Sequence, residues 1–136
     1  MHYAASCHCG AQRMDYRTER PATDWQLRRC ACDFCRRHQP RYTSDPKGSI
    51  RLSSDTPLLR YRFGLRRADF LVCSVCGCYL GAARSDADGK RMVLNANLLE
   101  IAATLPDEPT AMDYDGEVDA DRDARQRARW TPLEVT

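Results

Sequence analysis

The length, composition and charge of the chain exclude several classes of protein. Its 136 residues, of which 43% are hydrophobic and 29% charged, are typical of one folded domain and exclude a disordered chain or a multidomain protein. The formal net charge of +2 provides no overall field that would hold the chain to nucleic acid or anionic lipid.

The sequence shows no targeting or membrane signal. Residues 1–7 contain no basic segment followed by an apolar run, unlike a secretory signal peptide. The longest uncharged stretch, residues 70–83, is shorter than the about 20 residues of a membrane helix. We therefore expect a cytoplasmic protein without a membrane segment, folded as a single domain over residues 1–136.

Short extended segments dominate the predicted secondary structure. Apolar stretches between Gly, Pro and Asp clusters predict strands at residues 50–52, 58–63, 70–72, 79–83 and 92–95. The Asp- and Gly-rich residues 85–90 predict the loop of a hairpin.

Helix signals are fewer than strand signals. A short helix is expected over residues 33–38, with Asp33 near its N-terminus and Pro40 ending it. A second is expected over residues 121–129, where acidic residues precede arginines. Aromatic residues make up only 8% of the chain, so we predict a small, mainly β fold that metal helps to hold together.

Charge is unevenly distributed along the chain. Residues 17–41 are basic, whereas residues 107–123 are acidic and are predicted to form a solvated loop. The acidic side chains are Asp107, Glu108, Asp113, Asp115, Glu117, Asp119, Asp121 and Asp123.

Seven of the eight cysteines fall into three clusters, and Cys78 follows closely behind the last of them. In a reducing compartment this spacing is typical of metal ligands rather than disulfides. Cys7 and Cys9 form one pair, and Cys73 and Cys76 supply the second pair of a tetrahedral four-thiolate shell. We predict a structural zinc there, which ties the N-terminal strand to the middle of the chain. Gly10 and Gly77 follow the two pairs and suit tight turns around the sulfurs.

The middle cluster, formed by Cys30, Cys32 and Cys35, supplies three thiolates and no obvious fourth ligand. Three protein ligands are typical of a catalytic zinc with an open position, to which a thiolate substrate is suited. Alternatively, Cys78, His38 or His8 completes the shell, and the site is a second structural zinc. Four arginines flank this cluster: Arg28, Arg29, Arg36 and Arg37. They either offset the negative charge of the thiolates and bind a carboxylate of the ligand, or they are solvated surface side chains.

The ordered motifs resemble the glutathione-dependent formaldehyde-activating enzyme family, whose fold is similar to the Mss4-like β-tent. They are Ser6-Cys7-His8-Cys9-Gly10-Ala11, Cys30-Ala31-Cys32-Asp33-Phe34-Cys35-Arg36-Arg37, Phe63-Gly64, and Cys73-Ser74-Val75-Cys76-Gly77 followed by Leu80. The core motifs lie within residues 3–97, and the acidic loop and C-terminal segment, residues 107–136, resemble the tail of some members more weakly.

The resemblance implies a β-tent of short antiparallel strands with one or two short helices and two Zn²⁺ ions. It places a structural zinc on Cys7, Cys9, Cys73 and Cys76. It places a catalytic zinc, which is expected to be the more labile, on Cys30, Cys32 and Cys35. The implied activity is that of a carbon–sulfur lyase, which reversibly joins glutathione and formaldehyde into S-hydroxymethylglutathione.

Two residues depart from the family pattern beside the implied catalytic site. Cys78 stands where members often have a small or hydroxylated residue, and it either approaches the second metal or is an inert buried thiol. His38 stands near a position that is often Thr or Gly in the family, and it is either a proton shuttle or a surface side chain.

A non-catalytic zinc module that binds another protein through the basic segment is the alternative function. Nucleic acid is the weaker partner, because this segment offers only Trp25, Phe34 and Tyr42 for base stacking. A fourth protein ligand at the second metal would favour the module over the enzyme. Edge strands in a small β domain are compatible with a monomer or a homodimer.

Overall fold

The computed structural model describes residues 1–64, 66–114 and 116–136, which form a mainly β fold with two short helices. The strands are β1 (His2–Ser6), β2 (Gln12–Arg17), β3 (Arg28–Cys30), β4 (Tyr42–Thr43), β5 (Ser49–Ser54), β6 (Leu58–Tyr61), β7 (Asp69–Cys73), β8 (Tyr79–Asp86), β9 (Gly89–Asn95), β10 (Thr110–Met112) and β11 (Thr131–Val135). The helices are α1 (Asp33–His38) and α2 (Asp119–Arg129), and short 3-10 turns lie at Ala22–Asp24, Ala96–Leu98 and Ala102–Thr104.

The strands of the described ranges form one mixed sheet that branches at β9. Its longest path runs β1-β2-β5-β11-β9-β4-β3-β10, and β9 also pairs with β8, which continues into β7 and β6. The pairs β3–β10 and β5–β11 are parallel. The expected purely antiparallel arrangement is therefore wrong at these two pairs. Both contain strands of the C-terminal segment, which reach the sheet by long connections instead of hairpins.

Most predicted elements are present with adjusted ends. The strands predicted at residues 50–52, 70–72, 79–83 and 92–95 lie within β5, β7, β8 and β9, and the hairpin loop narrows to residues 87–88. The prediction for residues 58–63 is wrong at its end, because Arg62 pairs with Asp69 and the Phe63 ring packs 4.6 Å from that of Phe70. The first helix is confirmed over residues 33–38, and the second begins earlier than expected, at Asp119.

Two apolar clusters lie against the β8–β9 hairpin. The larger one contains Leu80, Met92 and Leu94 of this hairpin together with side chains of β2 and β5. The smaller one is formed by Cys35, Tyr42, Tyr79, Ala82, Val93 and Trp130. A buried cysteine of α1 is thus part of the apolar interior.

Gly81 fixes the path of β8 between these clusters. Its φ is +147°, and a Cβ at this position would lie 2.2 Å from the Val93 carbonyl oxygen, so only glycine fits. The pairing of β7 with β8 shifts register at the same place, between Leu71 and Val72. Tyr79 and Leu80 pack in different clusters because adjacent side chains of a strand point to opposite faces, and the irregularity at Gly81 places Leu80 and Ala83, three residues apart, in the same larger cluster.

The acidic segment is more ordered than the predicted solvated loop. It contains β10 and the first half of α2, while Asp115 lies outside the described residues. Gln126 is the one buried side chain of α2, so ion pairs dock this helix. Asp123 accepts from Arg84 at 3.0 Å and from Arg67 at 2.8 Å, and Arg84 also donates to Gln126 at 2.7 Å. None of the helices in the described ranges combines the length and the apolar character that a bilayer crossing requires.

The docking of α2 is expected to depend on pH through Asp123. The Arg84 guanidinium lowers the pKa of this carboxyl, because its hydrogen bond favours the charged form. The folded pKa lies below the unfolded value of about 3.9, so the stabilisation is complete above about pH 4 and is lost as pH falls through the folded pKa. The thermal midpoint of Asp123→Asn should therefore lie below that of the unmodified chain at neutral pH, and the gap should close on acidification.

Circular dichroism melts from neutral pH to about pH 3 measure this gap. Asp121→Asn is the matched control, since Asp121 is an exposed acid of the same helix. A gap for Asp123→Asn that stays constant over the whole pH range would contradict the proposed docking.

Candidate metal centres

Two turns bring four cysteines together at one end of the sheet. Cys7 and Cys9 lie in the β1–β2 turn, and Cys73 and Cys76 lie where β7 turns into β8. The four sulfurs all lie within 4.8 Å of one another. Two of the separations are 3.6 Å, from Cys7 to Cys9, and 3.7 Å, from Cys9 to Cys73. A tetrahedral ZnS₄ shell with Zn–S bonds of about 2.3 Å has sulfur separations of roughly 3.8 Å, so these residues fit such an ion.

Backbone N–H groups point at the sulfurs of this four-cysteine group. The Gln12 N–H donates to Cys7 Sγ at 3.3 Å. Hydrogen bonds from the Cys78 and Cys9 N–H groups lower the pKa of Cys76 to about 5, since they favour the thiolate. The backbone N–H of Cys76 lowers the pKa of Cys73 in the same way. At Cys9 the backbone N–H of Ala11 also lowers the pKa, but desolvation and the neighbouring thiols outweigh it and raise the pKa to about 12. The backbone N–H groups of the turns thus favour thiolates, whereas crowding of the sulfurs without a metal opposes them.

Left-handed glycines allow both turns. Gly10 has a φ of +84° and Gly77 a φ of +78°, a conformation that residues with a Cβ rarely adopt. The tight turns expected after each cysteine pair are confirmed.

Cys78 lies beside the four-cysteine group. Its sulfur accepts a hydrogen bond from the His8 N–H at 3.4 Å, and its thiol is within hydrogen-bonding reach of Cys76. The possibility that Cys78 completes the shell of the middle cluster is therefore wrong. Its position beside Cys76 follows from the shared β7–β8 turn.

The second group consists of Cys30, Cys32 and Cys35, whose sulfurs also lie within 4.8 Å of one another. Cys30 ends β3, Cys32 is the N-cap of α1, and Cys35 lies in that helix. The Cys32 sulfur accepts the Cys35 N–H at 3.4 Å. Hydrogen bonds from the Cys30 and Cys35 thiols lower the pKa of Cys32 to about 2, since they favour its thiolate form. The site is thus built from one short segment.

Two buried tyrosines lie behind the three-cysteine group. The Tyr42 hydroxyl lies 3.1 Å from Cys35 Sγ and 2.6 Å from the Tyr79 hydroxyl. Burial raises the pKa of Tyr42 and of Tyr79 well above the usual value, so both hydroxyls carry their protons at neutral pH. The least accessible cysteine of the group is therefore in contact with a neutral hydroxyl.

Aromatic rings cover the same side of the group. Phe34, the residue before Cys35, packs edge-on against Phe70 and Tyr79 with centroid distances of 4.7 and 5.0 Å. It also lies 5.8 and 5.6 Å from the rings of Tyr61 and Phe63. The three phenylalanines of the chain thus lie around the three-cysteine group, and their rings exclude water from one side of it.

The histidines considered as fourth ligands do not join the three-cysteine group. His38 is exposed and stacks on Phe34 with a centroid distance of 4.3 Å. Among the described residues, no His, Asp or Glu atom joins these sulfurs within ligand distance, so neither His38 nor His8 does. The arrangement therefore offers three protein ligands.

The flanking arginines are mostly engaged with their own surroundings. Arg36 pairs with the Asp33 carboxylate, and Arg37 donates to the Asp33 carbonyl oxygen at 2.8 Å. Arg28 is half-buried and donates to Ser44 at 2.5 Å, whereas Arg29 is exposed on β3 beside Cys30. Arg28, Arg36 and Arg37 thus contact groups of the protein, and Arg29, Arg36 and Arg37 are exposed to solvent.

The cysteine spacing predicts both groups, whereas no sequence pattern predicts the two tyrosines that support the three-cysteine group. Tyr42 and Tyr79 are 37 residues apart in sequence, and neither belongs to a spaced motif. The one local signal was the position of Tyr79 directly after Cys78.

Comparison with known proteins supports the architecture. No protein-family model and no curated protein matches the chain. A crystal structure of a Rhodobacter sphaeroides protein matches with a TM-score of 0.62 and 27% identity, covering 80% of this chain and 99% of that chain. The chain is thus similar in fold to that protein.

Proposed function

We propose that the chain is a zinc-dependent carbon–sulfur lyase similar to the glutathione-dependent formaldehyde-activating enzymes, with a Mss4-like fold. The observation that carries this proposal is the three-cysteine group, which lacks a fourth protein ligand in the described part of the chain. The four-cysteine group beside β1 and β7 has a complete ligand set and serves as the structural site.

The proposed reaction joins a thiol and an aldehyde. The thiol sulfur attacks the aldehyde carbon, a C–S bond forms, and the thiol proton ends on the former carbonyl oxygen, which becomes a hydroxyl. The reverse reaction breaks the same bond and releases both substrates. Zinc held by Cys30, Cys32 and Cys35 would supply the positive charge that keeps the substrate sulfur in its nucleophilic thiolate form.

The residues around the group provide for binding and for control of water. Phe34, Phe70 and Tyr79 form an apolar side, which disfavours competing hydration of the aldehyde. Arg29, Arg36 and Arg37 are exposed around this segment, and their guanidinium groups are the candidates to bind a substrate carboxylate, such as those of glutathione. Glutathione and formaldehyde are therefore the first pair to test.

The alternative, a non-catalytic zinc module, has less support. It requires a complete ligand shell at the second site, and Cys78, His38 and His8 all lie outside that shell. The arginines expected to bind a protein partner are also partly engaged, since Arg36 and Arg37 both contact Asp33.

Acceleration of hemithioacetal exchange tests the proposal. Exchange between free and glutathione-bound formaldehyde, measured by NMR, should be faster with the protein than in buffer. The acceleration should disappear after treatment with a chelator and return with added Zn²⁺. A protein that carries metal in both cysteine groups and accelerates exchange with none of a panel of thiols and aldehydes would refute the lyase function.

A further inference from the structure

The contact between Tyr42 and Cys35 has a defined direction once Cys35 ligates a metal. A ligating thiolate has no proton, so it can only accept a hydrogen bond. The Tyr42 hydroxyl, 3.1 Å away, must then donate to it. Its oxygen is left to accept from the Tyr79 hydroxyl at 2.6 Å. The two tyrosines therefore form a short chain of hydrogen bonds that ends on the Cys35 sulfur.

The sheet holds both tyrosines in place. Tyr42 pairs with Asn95 in the β4–β9 ladder, and the Asn95 side chain donates to the backbone oxygen of Tyr79 at 2.9 Å. The Tyr79 ring is fixed further by its edge-on contact with Phe34. Asn95, Tyr42 and Tyr79 are all buried, so water does not compete for these hydrogen bonds.

The three ligand sulfurs are not equivalent. Cys32 lies at the surface end of α1 and accepts a backbone N–H at 3.4 Å. Cys35 is only 2% exposed, and its partner is a side-chain hydroxyl. A hydrogen bond to a buried thiolate stabilises its negative charge, and it also withdraws electron density from the sulfur, which then donates less charge to the metal. Three thiolates make a metal a poor Lewis acid, and this contact offsets part of that effect.

We propose that the Tyr42 hydroxyl, oriented by Tyr79, donates a hydrogen bond to the Cys35 thiolate and thereby sets the metal affinity and electronic character of the three-cysteine centre. Tyr42 is a positioning residue, since it acts through Cys35. The inference rests on the metal site of the proposed function but not on the identity of the substrate.

Cobalt(II) substitution tests this proposal, because the energy of the sulfur-to-cobalt charge-transfer band reports the donor strength of the thiolates. The band of the three-cysteine group is isolated by subtracting the spectrum of a Cys30→Ser/Cys32→Ser version of each variant. In Tyr42→Phe the band should move to longer wavelength, since Cys35 loses its hydroxyl donor. Competition with a chelator should show Zn²⁺ affinity at this site lowered by roughly tenfold or more, because the buried thiolate that metal binding requires at Cys35 has lost its hydrogen-bond donor.

Two further variants complete the experiment. Tyr79→Phe keeps the Tyr42 hydroxyl, so the band and the Zn²⁺ affinity should change in the same direction but by less. This variant also tests the proposal if Tyr42→Phe folds poorly. Tyr16→Phe is the matched control, because Tyr16 is 1% exposed and packs beside Trp25 in the larger cluster. It should leave the band and the affinity unchanged.

The outcomes separate this inference from the proposed function. An unchanged band and affinity in both Tyr42→Phe and Tyr79→Phe would overturn the inference, as would an equal change in Tyr16→Phe. The lack of any charge-transfer band from the three-cysteine group would overturn both the inference and the metal site of the proposed function. The expected shift in a protein without turnover would support the inference and count against the lyase activity alone.

Discussion

Replacement of Cys73 by serine is expected to unfold the protein at physiological temperature. Cys73 is 1% exposed and belongs to the four-cysteine group, whose members come from turns far apart in sequence. A structural zinc contributes roughly 10–16 kcal/mol to the folding of small zinc domains. The whole stability of a domain is only about 5–15 kcal/mol. Loss of one ligand from such a site therefore removes most of the margin that keeps the chain folded.

Thermal melting and metal analysis measure this effect. Cys73→Ser should lose the cooperative transition of the unmodified chain, together with the tightly bound metal ion. Cys78→Ser is the matched control, because Cys78 lies in the same turn and its sulfur contacts the His8 N–H without completing the shell. A Cys73→Ser protein with an unchanged melting temperature would show that the four-cysteine group does not stabilise the fold.

Replacement of Cys32 by serine is expected to abolish turnover and leave the fold intact. Cys32 is partly exposed and caps α1 through its side chain. Serine is among the best N-cap residues, so its hydroxyl can take over the hydrogen bond from the Cys35 N–H. The substitution removes a metal ligand from the three-cysteine group at little structural cost. Changes in residues that merely support a ligand reduce activity by 10–100-fold, so loss of a ligand should cost about 100-fold or more.

Exchange kinetics, metal content and melting temperature together check this prediction. Cys32→Ser should lose one metal equivalent and the acceleration of exchange, with a melting temperature close to that of the unmodified chain. Cys32→Ala is a useful companion, because it also removes the cap and should melt at a lower temperature. Full activity in a Cys32→Ser protein that has lost its second metal would show that catalysis does not use the three-cysteine group.

The cysteine groups could be predicted from the sequence because their spacing is local and chemically restrictive. Cys30, Cys32 and Cys35 lie within six consecutive residues, and each of the two pairs in the other group lies within a single tight turn. A closed zinc shell has four thiolates, so the Cys7–Cys9 pair predicts a partner pair, and Cys73 and Cys76 supply it. Helix α1 was predictable for a similar reason, since its N-terminal Asp33 and the following Pro40 are local signals.

Other features depend on contacts between distant segments. The parallel pairing of β11 with β5 joins residues 83 positions apart, and no local pattern sets its direction. The same holds for the Tyr42 and Tyr79 hydroxyls, which meet only because β4 and β8 both flank β9. Helix α2 begins at Asp119, before its predicted start, and an ion pair from the distant Arg67 holds Asp119 there.

The two cysteine groups span different lengths of sequence, so a metal ion bound in one would relate to folding differently from an ion bound in the other. The four-cysteine group joins residues 64 positions apart, so an ion there closes a long loop and its release is linked to global unfolding. The three-cysteine group lies within six consecutive residues and closes no such loop. A nascent chain can therefore assemble these three ligands as soon as the segment leaves the ribosome, whereas the other centre must wait until Cys76 has been synthesised. For a protein that binds metal in both groups, we therefore expect the three-cysteine centre to load first.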